Sequence, residues 1–342
     1  MTRGVLLLNL GSPDSTETDD VRTYLRQFLG DPRVLDMPAW KRKPLVDLII
    51  TPFRAPKSAE AYKKVWTDQG SPLLVYSDQV RDMLRERIDL PVEVGMRYGN
   101  PSTESAIRAL MARGVEEIFL IPLYPQYAMS SYETAVAHAQ EILEEIAPEI
   151  KLVVQPPFYD DPDYIDALIT VAKPYLEEDF DHMLFSYHGV PERHVKATDP
   201  SGCYCLRIAD CCERKNPAHS FCYRHQCFAT TKAFVKKAKI PDGKWSVSFQ
   251  SRLGSDPWLT PFTDQQLERF PSKNIKRLVI ISPAFVADCL ETIEELGMEG
   301  KEEFLAAGGK EYRLVPCLND HPQWVDLLQR FVSDYLDGAL TV

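Results

Sequence analysis

The chain has 342 residues, 44% of them apolar, which is enough to bury a sizeable core and more than one core usually supports, so two domains are expected. A formal net charge of -11 and a pI near 5.2 exclude the basic face that a nucleic-acid binder needs to neutralise phosphates. The opening apolar run, Val5 to Leu10, is interrupted by Asn9 and is too short for a secretory core or a membrane span, so a cytoplasmic location is expected.

In chain order, short apolar runs ending in Gly or Pro come first: VLLLNLGSP from Val5, VEVGMRYGNPS from Val92, EEIFLIPLYPQ from Glu116 and KLVVQPPF from Lys151. They alternate with helix-like stretches such as DDVRTYLRQFL and STESAIRALMARG, the rhythm of a parallel sheet flanked by helices. The second half repeats the rhythm with HMLFSYHGVP from His182, KWSVSFQSRLGSDPW from Lys244 and KRLVIISPAFVAD from Lys276. VLLLNLGSP aligns with MLFSYHGVP, VGMRYG with VSFQSRLG, and IFLIPLYPQ with LVIISPAF, which points to two similar α/β domains. The Asp- and Pro-rich YDDPDYIDA sets the boundary, giving domains over 1-165 and 166-320. HPQWVDLLQRFVSDYL predicts a C-terminal helix within 321-342 that packs back on the body.

Ligands of open parallel sheets bind beyond the carboxyl ends of the strands. The residues there are Asn9 to Ser12, Arg97 and Tyr98, Tyr124 to Tyr127, His188, Arg252, and Phe285 to Glu291. GSPD after the first strand lacks G-x-G-x-x-G spacing and a following Gly-Lys-Ser, so a nucleotide site is disfavoured. His188 directly follows an apolar run and precedes Gly189 and Pro191, so its imidazole is expected at a strand end, able to accept a proton near pH 7 or to ligate a divalent metal. Glu291, Glu295 and Glu299 recur every four residues along one helix face. Such a ladder reads either as a solvated face or as a path for a divalent cation or for protons.

Six segments in order, LLLNLGSP, GMRYGNPS, IPLYPQYA, SYHGVP, FQSRLGSDPWL and SPAFVADCLETIEEL, resemble the ferrochelatase family, which inserts ferrous iron into a porphyrin to make haem. The resemblance implies two Rossmann-like domains with a ligand cleft between them. It implies protoporphyrin IX and Fe²⁺ as substrates, with His188 the catalytic histidine of the H-G-x-P turn. Glu291 would be its acidic counterpart across the macrocycle, so that imidazole and acids would lie on opposite lobes. Glu295 and Glu299 would join His188 and Glu291 in handling the metal or the protons. Cys289 stands where some members carry histidine. Arg97 and Tyr98 match a family pair lining the porphyrin pocket, and Tyr124, Tyr127, Trp258 and Phe285 are the aromatic candidates for its walls. Residues 36 to 66 would form a lip over the cleft; their mixture of apolar and basic residues suits either a plain surface helix or the face of an anionic membrane. The competing readings are a related chelatase acting on coproporphyrin III or sirohydrochlorin, and a non-enzymatic haem or iron-sulfur carrier. The sequence leaves the oligomeric state open.

Six of the eight cysteines crowd into GCYCLRIADCCERKNPAHSFCYRHQC, residues 202 to 227. In a reducing compartment such a cluster reads as a metal site rather than as disulfides. The segment from Ser201 to about Cys222 looks inserted relative to the usual bacterial pattern, and one subgroup of the family carries a [2Fe-2S] cluster in such an insert. No C-x2-C knuckle is present for zinc, whereas the gap between Cys222 and Cys227 matches plant-type ferredoxin loops. The expected ligands are four of Cys205, Cys211, Cys212, Cys222 and Cys227, with Cys205, Cys212, Cys222 and Cys227 preferred and Cys203 the weakest candidate.

Overall fold

The computed structural model describes residues 2-254 and 256-340 and divides into two compact units. The first comprises Met1–Tyr124, Met129–Pro156 and Asp320–Val342; the second comprises Pro125–Ala128 and Pro157–Asn319.

In the first unit, β1 (Arg3–Asn9), β2 (Val92–Met96), β3 (Glu117–Pro122) and β4 (Lys151–Val154) form a parallel sheet in the order β2-β1-β3-β4. The central strands β1 and β3 are almost wholly buried, as continuous apolar runs covered on both faces should be, whereas the edge strand β4 is half-exposed. Leu6, Leu8, Ile118 and Leu120 pack against Ile107 and Leu110 of the helix Thr103–Ala112 and against Ala139 and Leu143 of the helix Thr134–Ile146. After β1 the chain turns at Gly11 with φ 109°, where a Cβ would stand 1.8 Å from the Tyr98 carbonyl, so only glycine fits. The helix Pro322–Leu336 returns the chain to this unit: Tyr335 stacks on Phe119 at 4.4 Å and donates to the buried Glu117 carboxylate.

The second unit repeats the plan. Strands β5 (His182–His188), β6 (Trp245–Gln250), β7 (Arg277–Ile281) and β8 (Glu311–Leu314) run parallel in the order β6-β5-β7-β8. Each of the three strand pairs matched in the sequence occupies the same place in its sheet: β1 with β5, β2 with β6, β3 with β7. β8 has no counterpart in the sequence reading, because EYRL is a short edge strand without an apolar run.

Residues 39-65 form a continuous helical stretch in which a π-wound segment, Leu45–Ile50, joins Ala39–Pro44 to Thr51–Val65. Trp40, Leu48, Ile49 and Phe53 are exposed there, all but Ile49 by more than 70%.

Candidate active site

The carboxyl-end rim of the first sheet is organised around Asp31, which follows the helix Thr18–Gly30 and has a buried side chain. Its carboxylate accepts from Arg97, from the Tyr98 phenol at 2.8 Å, from the Thr134 hydroxyl and from the Arg33 amide at 2.7 Å. Burial alone would raise the Asp31 pKa. The Thr134 and Arg33 hydrogen bonds, the Arg97 charge and the Tyr98 phenol together hold it below the usual carboxylate range. Arg97 also donates Nε to Thr134 at 2.9 Å and lies 4.5 Å over the Tyr98 ring. Tyr98 itself is only 1% exposed, a core residue whose hydroxyl is spent on Asp31. Tyr124 is buried near Arg97, and its hydroxyl has no hydrogen-bond partner among the described residues.

The rim of the second sheet carries His188 as the last residue of β5. Its Nδ1 lies 2.7 Å from the Gly189 carbonyl oxygen. A carbonyl only accepts, so Nδ1 carries a proton and, in the neutral imidazole, the lone pair lies on Nε2, which has no protein partner among the described residues. Phe285 stands edge-on to the imidazole at 6.3 Å. Trp258 flanks the same turn: its ring lies 3.3 Å from where a Gly189 Cβ would be, and its Nε1 donates to the Leu253 carbonyl. Tyr127 donates its amide to the Gln226 side chain at 2.6 Å and packs edge-on against Phe221.

Glu291 also belongs to the second unit, which corrects the expectation of opposite lobes: imidazole and acids rise from the same sheet. The reason is topological, since His188 ends β5 and the acids follow β7, its direct neighbour. Gln250, paired with His188 across the β5-β6 ladder, accepts from Ser186 and donates to the Glu291 carbonyl at 3.2 Å, so one amide ties both elements. The acids ride a π-wound helix, Glu291–Glu299, a rare winding that is frequent at functional sites. Glu291 and Glu295 are partly buried and Glu299 is exposed, so the ladder runs outward to water. Ser251, held in left-handed backbone at φ 59°, donates to Glu295. Burial, and next the Glu291 carboxyl, push the Glu295 pKa up to about 8 against the Ser251 hydrogen bond, so this rung is largely protonated at neutral pH. Burial, and next the neighbouring Glu291 carboxyl, push the Cys289 thiol up.

In the cysteine-rich segment the Asp199 carboxylate accepts the amides of Ser201, Tyr204 and Cys205. Burial opposes its charge, but these bonds, led by that from Cys205, hold its pKa down to about 2. The thiol of Cys222 lies within hydrogen-bonding reach of both Cys205 and Cys212, and Cys212 reaches Cys211. The Leu206 amide donates to Cys211 Sγ at 3.4 Å and Arg224 to Cys212 Sγ at 3.2 Å. Cys227 is fully buried, near Cys212 and with its thiol on the Tyr223 hydroxyl. Cys203 is exposed and bonded to Ser201. Among the described residues no three His, Cys, Asp or Glu side chains are gathered as one metal ion would require; the thiols meet in pairs.

A family model described as Ferrochelatase matches residues 2–336. The chain belongs to the ferrochelatase family. It is 48% identical over 340 residues to a ferrochelatase of Opitutus terrae, covering 98% of this chain and 99% of that one. It is 51% identical over 328 residues to a ferrochelatase of Pseudomonas putida strain W619, covering 95% and 97%. Among solved structures the fold is similar to SirB from Bacillus subtilis with Fe³⁺, with a TM-score of 0.54 at 12% identity and 99% of each chain covered. The sirohydrochlorin chelatase SirB from Bacillus subtilis subspecies spizizenii, in complex with cobalt, gives a TM-score of 0.52 at 11% identity, again over 99% of each chain. At those identities the likeness to SirB is one of fold: two chelatase-type α/β domains.

Proposed function

We propose that the chain inserts Fe²⁺ into protoporphyrin IX, releasing the two pyrrole N–H protons and forming haem, and that His188 Nε2 accepts them one at a time, the first passing on toward water before the second is taken. The observation that carries this reading is the fixed tautomer of His188, whose Nε2 lone pair has no competing protein donor. Glu291 would move protons or iron beside it. Glu295 and Glu299 continue from Glu291 toward water, as a route for either would. Phe285, Trp258 and Tyr127 would form apolar walls for a flat ring; Arg97, Tyr98 and Tyr124 belong to the first unit, where both tyrosines are buried and Arg97 is tied to Asp31. Gripping the ring in a bent shape would expose its nitrogens to the metal, so that binding free energy is spent on distortion.

The thiol segment fits a resident [2Fe-2S] cluster, which takes two thiolates on each iron. Cys205, Cys211, Cys212 and Cys222 would hold it, supported by their mutual contacts and by the Leu206 and Arg224 donors; Cys227, whose thiol is engaged by Tyr223, moves to the margin. Such a cluster supplies one-electron redox chemistry, and its binding free energy adds to the folding of the segment. The exposed Trp40, Leu48, Ile49 and Phe53, interspersed with Lys41, Lys43, Arg54 and Lys57, suit peripheral attachment to an anionic membrane by a cytoplasmic protein. Among the described residues no helix is long and apolar enough to cross one.

Anaerobic assay of the purified protein with Fe²⁺ and each of protoporphyrin IX, coproporphyrin III and sirohydrochlorin tests the reading. Protoporphyrin should be metallated fastest, and preference for either of the others assigns the substrate to that tetrapyrrole instead. The same preparation should be red-brown, with two irons and two labile sulfides per chain; these should persist in C203A and C227A and vanish in C211A. A colourless zinc protein refutes the cluster.

A further inference from the structure

Tyr223 opens the helix Tyr223–Ala238, whose N-cap is Cys222. Its ring is buried, and its phenol donates to the backbone carbonyl of His188 at 2.8 Å. The N–H of the same peptide unit, on Gly189, donates to the Gln250 carbonyl at 2.7 Å. The peptide plane that follows the histidine is therefore pinned at both ends, by strand β6 at its N–H and by the cysteine segment's helix at its C=O. Gly189 permits the first contact, since a Cβ there would stand 2.8 Å from the Gln250 oxygen. Gly189 joins this plane to the next one, whose carbonyl accepts the hydrogen bond from Nδ1–H of His188.

We propose that Tyr223 is a positioning residue for His188: its hydroxyl, delivered by the helix that begins at Cys222, fixes the His188 carbonyl and thereby the tautomer and direction of the imidazole. This rests on the reading of His188 as proton acceptor, but its decisive measurement does not. Imidazole-¹⁵N-labelled full-length protein is compared with Tyr223→Phe, the His188 signals being assigned by their loss in His188→Ala. The proposal expects a pure Nδ1–H pattern in the parent protein and a shifted or mixed-tautomer pattern in Y223F. It also expects kcat for metal insertion to fall about tenfold with the porphyrin KM held within about twofold, and the pH profile of kcat to move. Tyr187→Phe is the control: it removes another buried phenol, on the same strand as His188 and bonded at 2.8 Å to Thr231 of the same helix, and should lower thermal stability comparably without moving the His188 signals. Unchanged His188 signals in Y223F overturn the proposal whatever the activity. Equal shifts in Y223F and Y187F overturn it too, by making the effect one of general packing. Should Y223F not fold, the parent spectrum decides, because an Nε2–H or mixed pattern there removes the geometry on which the proposal stands. Full metallation by H188A would instead sink the assignment of His188, leaving the Tyr223 result to be read from the spectra alone.

Discussion

Two carboxyl groups, one at the rim of each sheet, are withdrawn from water and yet driven in opposite directions. Asp31 in the first unit is held ionised by a guanidinium, a phenol, a hydroxyl and an amide, whereas Glu295 in the second has one serine hydroxyl for support and Glu291, Glu294 and Glu299 as like-charged neighbours. Burial opposes charge at both; the partners decide the sign. The two sheets share a strand order, so topology delivers a rim twice, and the side chains make one rim a saturated anchor and leave the other with acids short of partners. The first rim resembles the interior of a stable protein. The second keeps a bare imidazole nitrogen and a protonated acid, groups that a structural site would satisfy or replace.

The sharpest way to break this contrast is at His188. If the second rim is the chemical one, H188A lowers kcat for metal insertion by about 10²- to 10⁴-fold, the range for a lost general base, while porphyrin affinity, read by quenching of porphyrin fluorescence, stays within about twofold. Activity near that of the parent protein would return the histidine to a structural role. The first rim should fail differently. D31A strands a largely buried Arg97 beside Tyr98 and Thr134, and breaking such a pair costs about 3–5 kcal/mol, read as a lower denaturant midpoint at unchanged slope. A loss below about 1 kcal/mol would mean that water reaches Arg97 and that the first rim is not the closed anchor described here.

Much of this was legible in the residues because strands β1, β3, β5 and β7 are apolar runs that end in Gly or Pro turns, and a parallel sheet presents those turns on one rim. His188 and the acids could be found by that rule alone. The share of the sites contributed by hydrogen bonds could not. Asp31 is a lone acid after a helix, and nothing in FLGDPRV marks it as the partner of Arg97, Tyr98 and Thr134, which come 66 to 103 positions later. Tyr223 and Gln226 read as ordinary helix residues between cysteines, yet they hold His188 and Tyr127. The placement of imidazole and acids on one unit was missed because sequence order separates β5 from β7 by the whole cysteine segment, while the sheet makes them neighbours. Spacing does not rank the thiols either: Cys205, Cys211, Cys212, Cys222 and Cys227 are all buried, and their contacts are a property of the packed segment.

The smallest expected effect sharpens the comparison of the two carboxyls most directly. Glu295 titrates at about 8 in the folded chain, against roughly 4.3 for an unfolded glutamate. Between those values the folded state keeps a proton that the unfolded state releases, so the Glu295 contribution to stability is fully present below about pH 4 and is lost as pH rises through about 8. Asp31 runs the other way: its folded value lies below that of an unfolded aspartate, so its contribution is present above about pH 4 and is lost as pH falls through the folded value. Glu295→Gln keeps the neutral form at every pH and removes the first slope only. The difference in thermal midpoint between E295Q and the parent protein should therefore grow in favour of the variant from pH 5 to pH 9, by a few degrees at most in a chain of this size, since a given free-energy change moves the midpoint of a large domain less. Parallel curves across that range would show that Glu295 is charged in the folded chain, and the two rims would then differ in their partners without differing in the state of their acids.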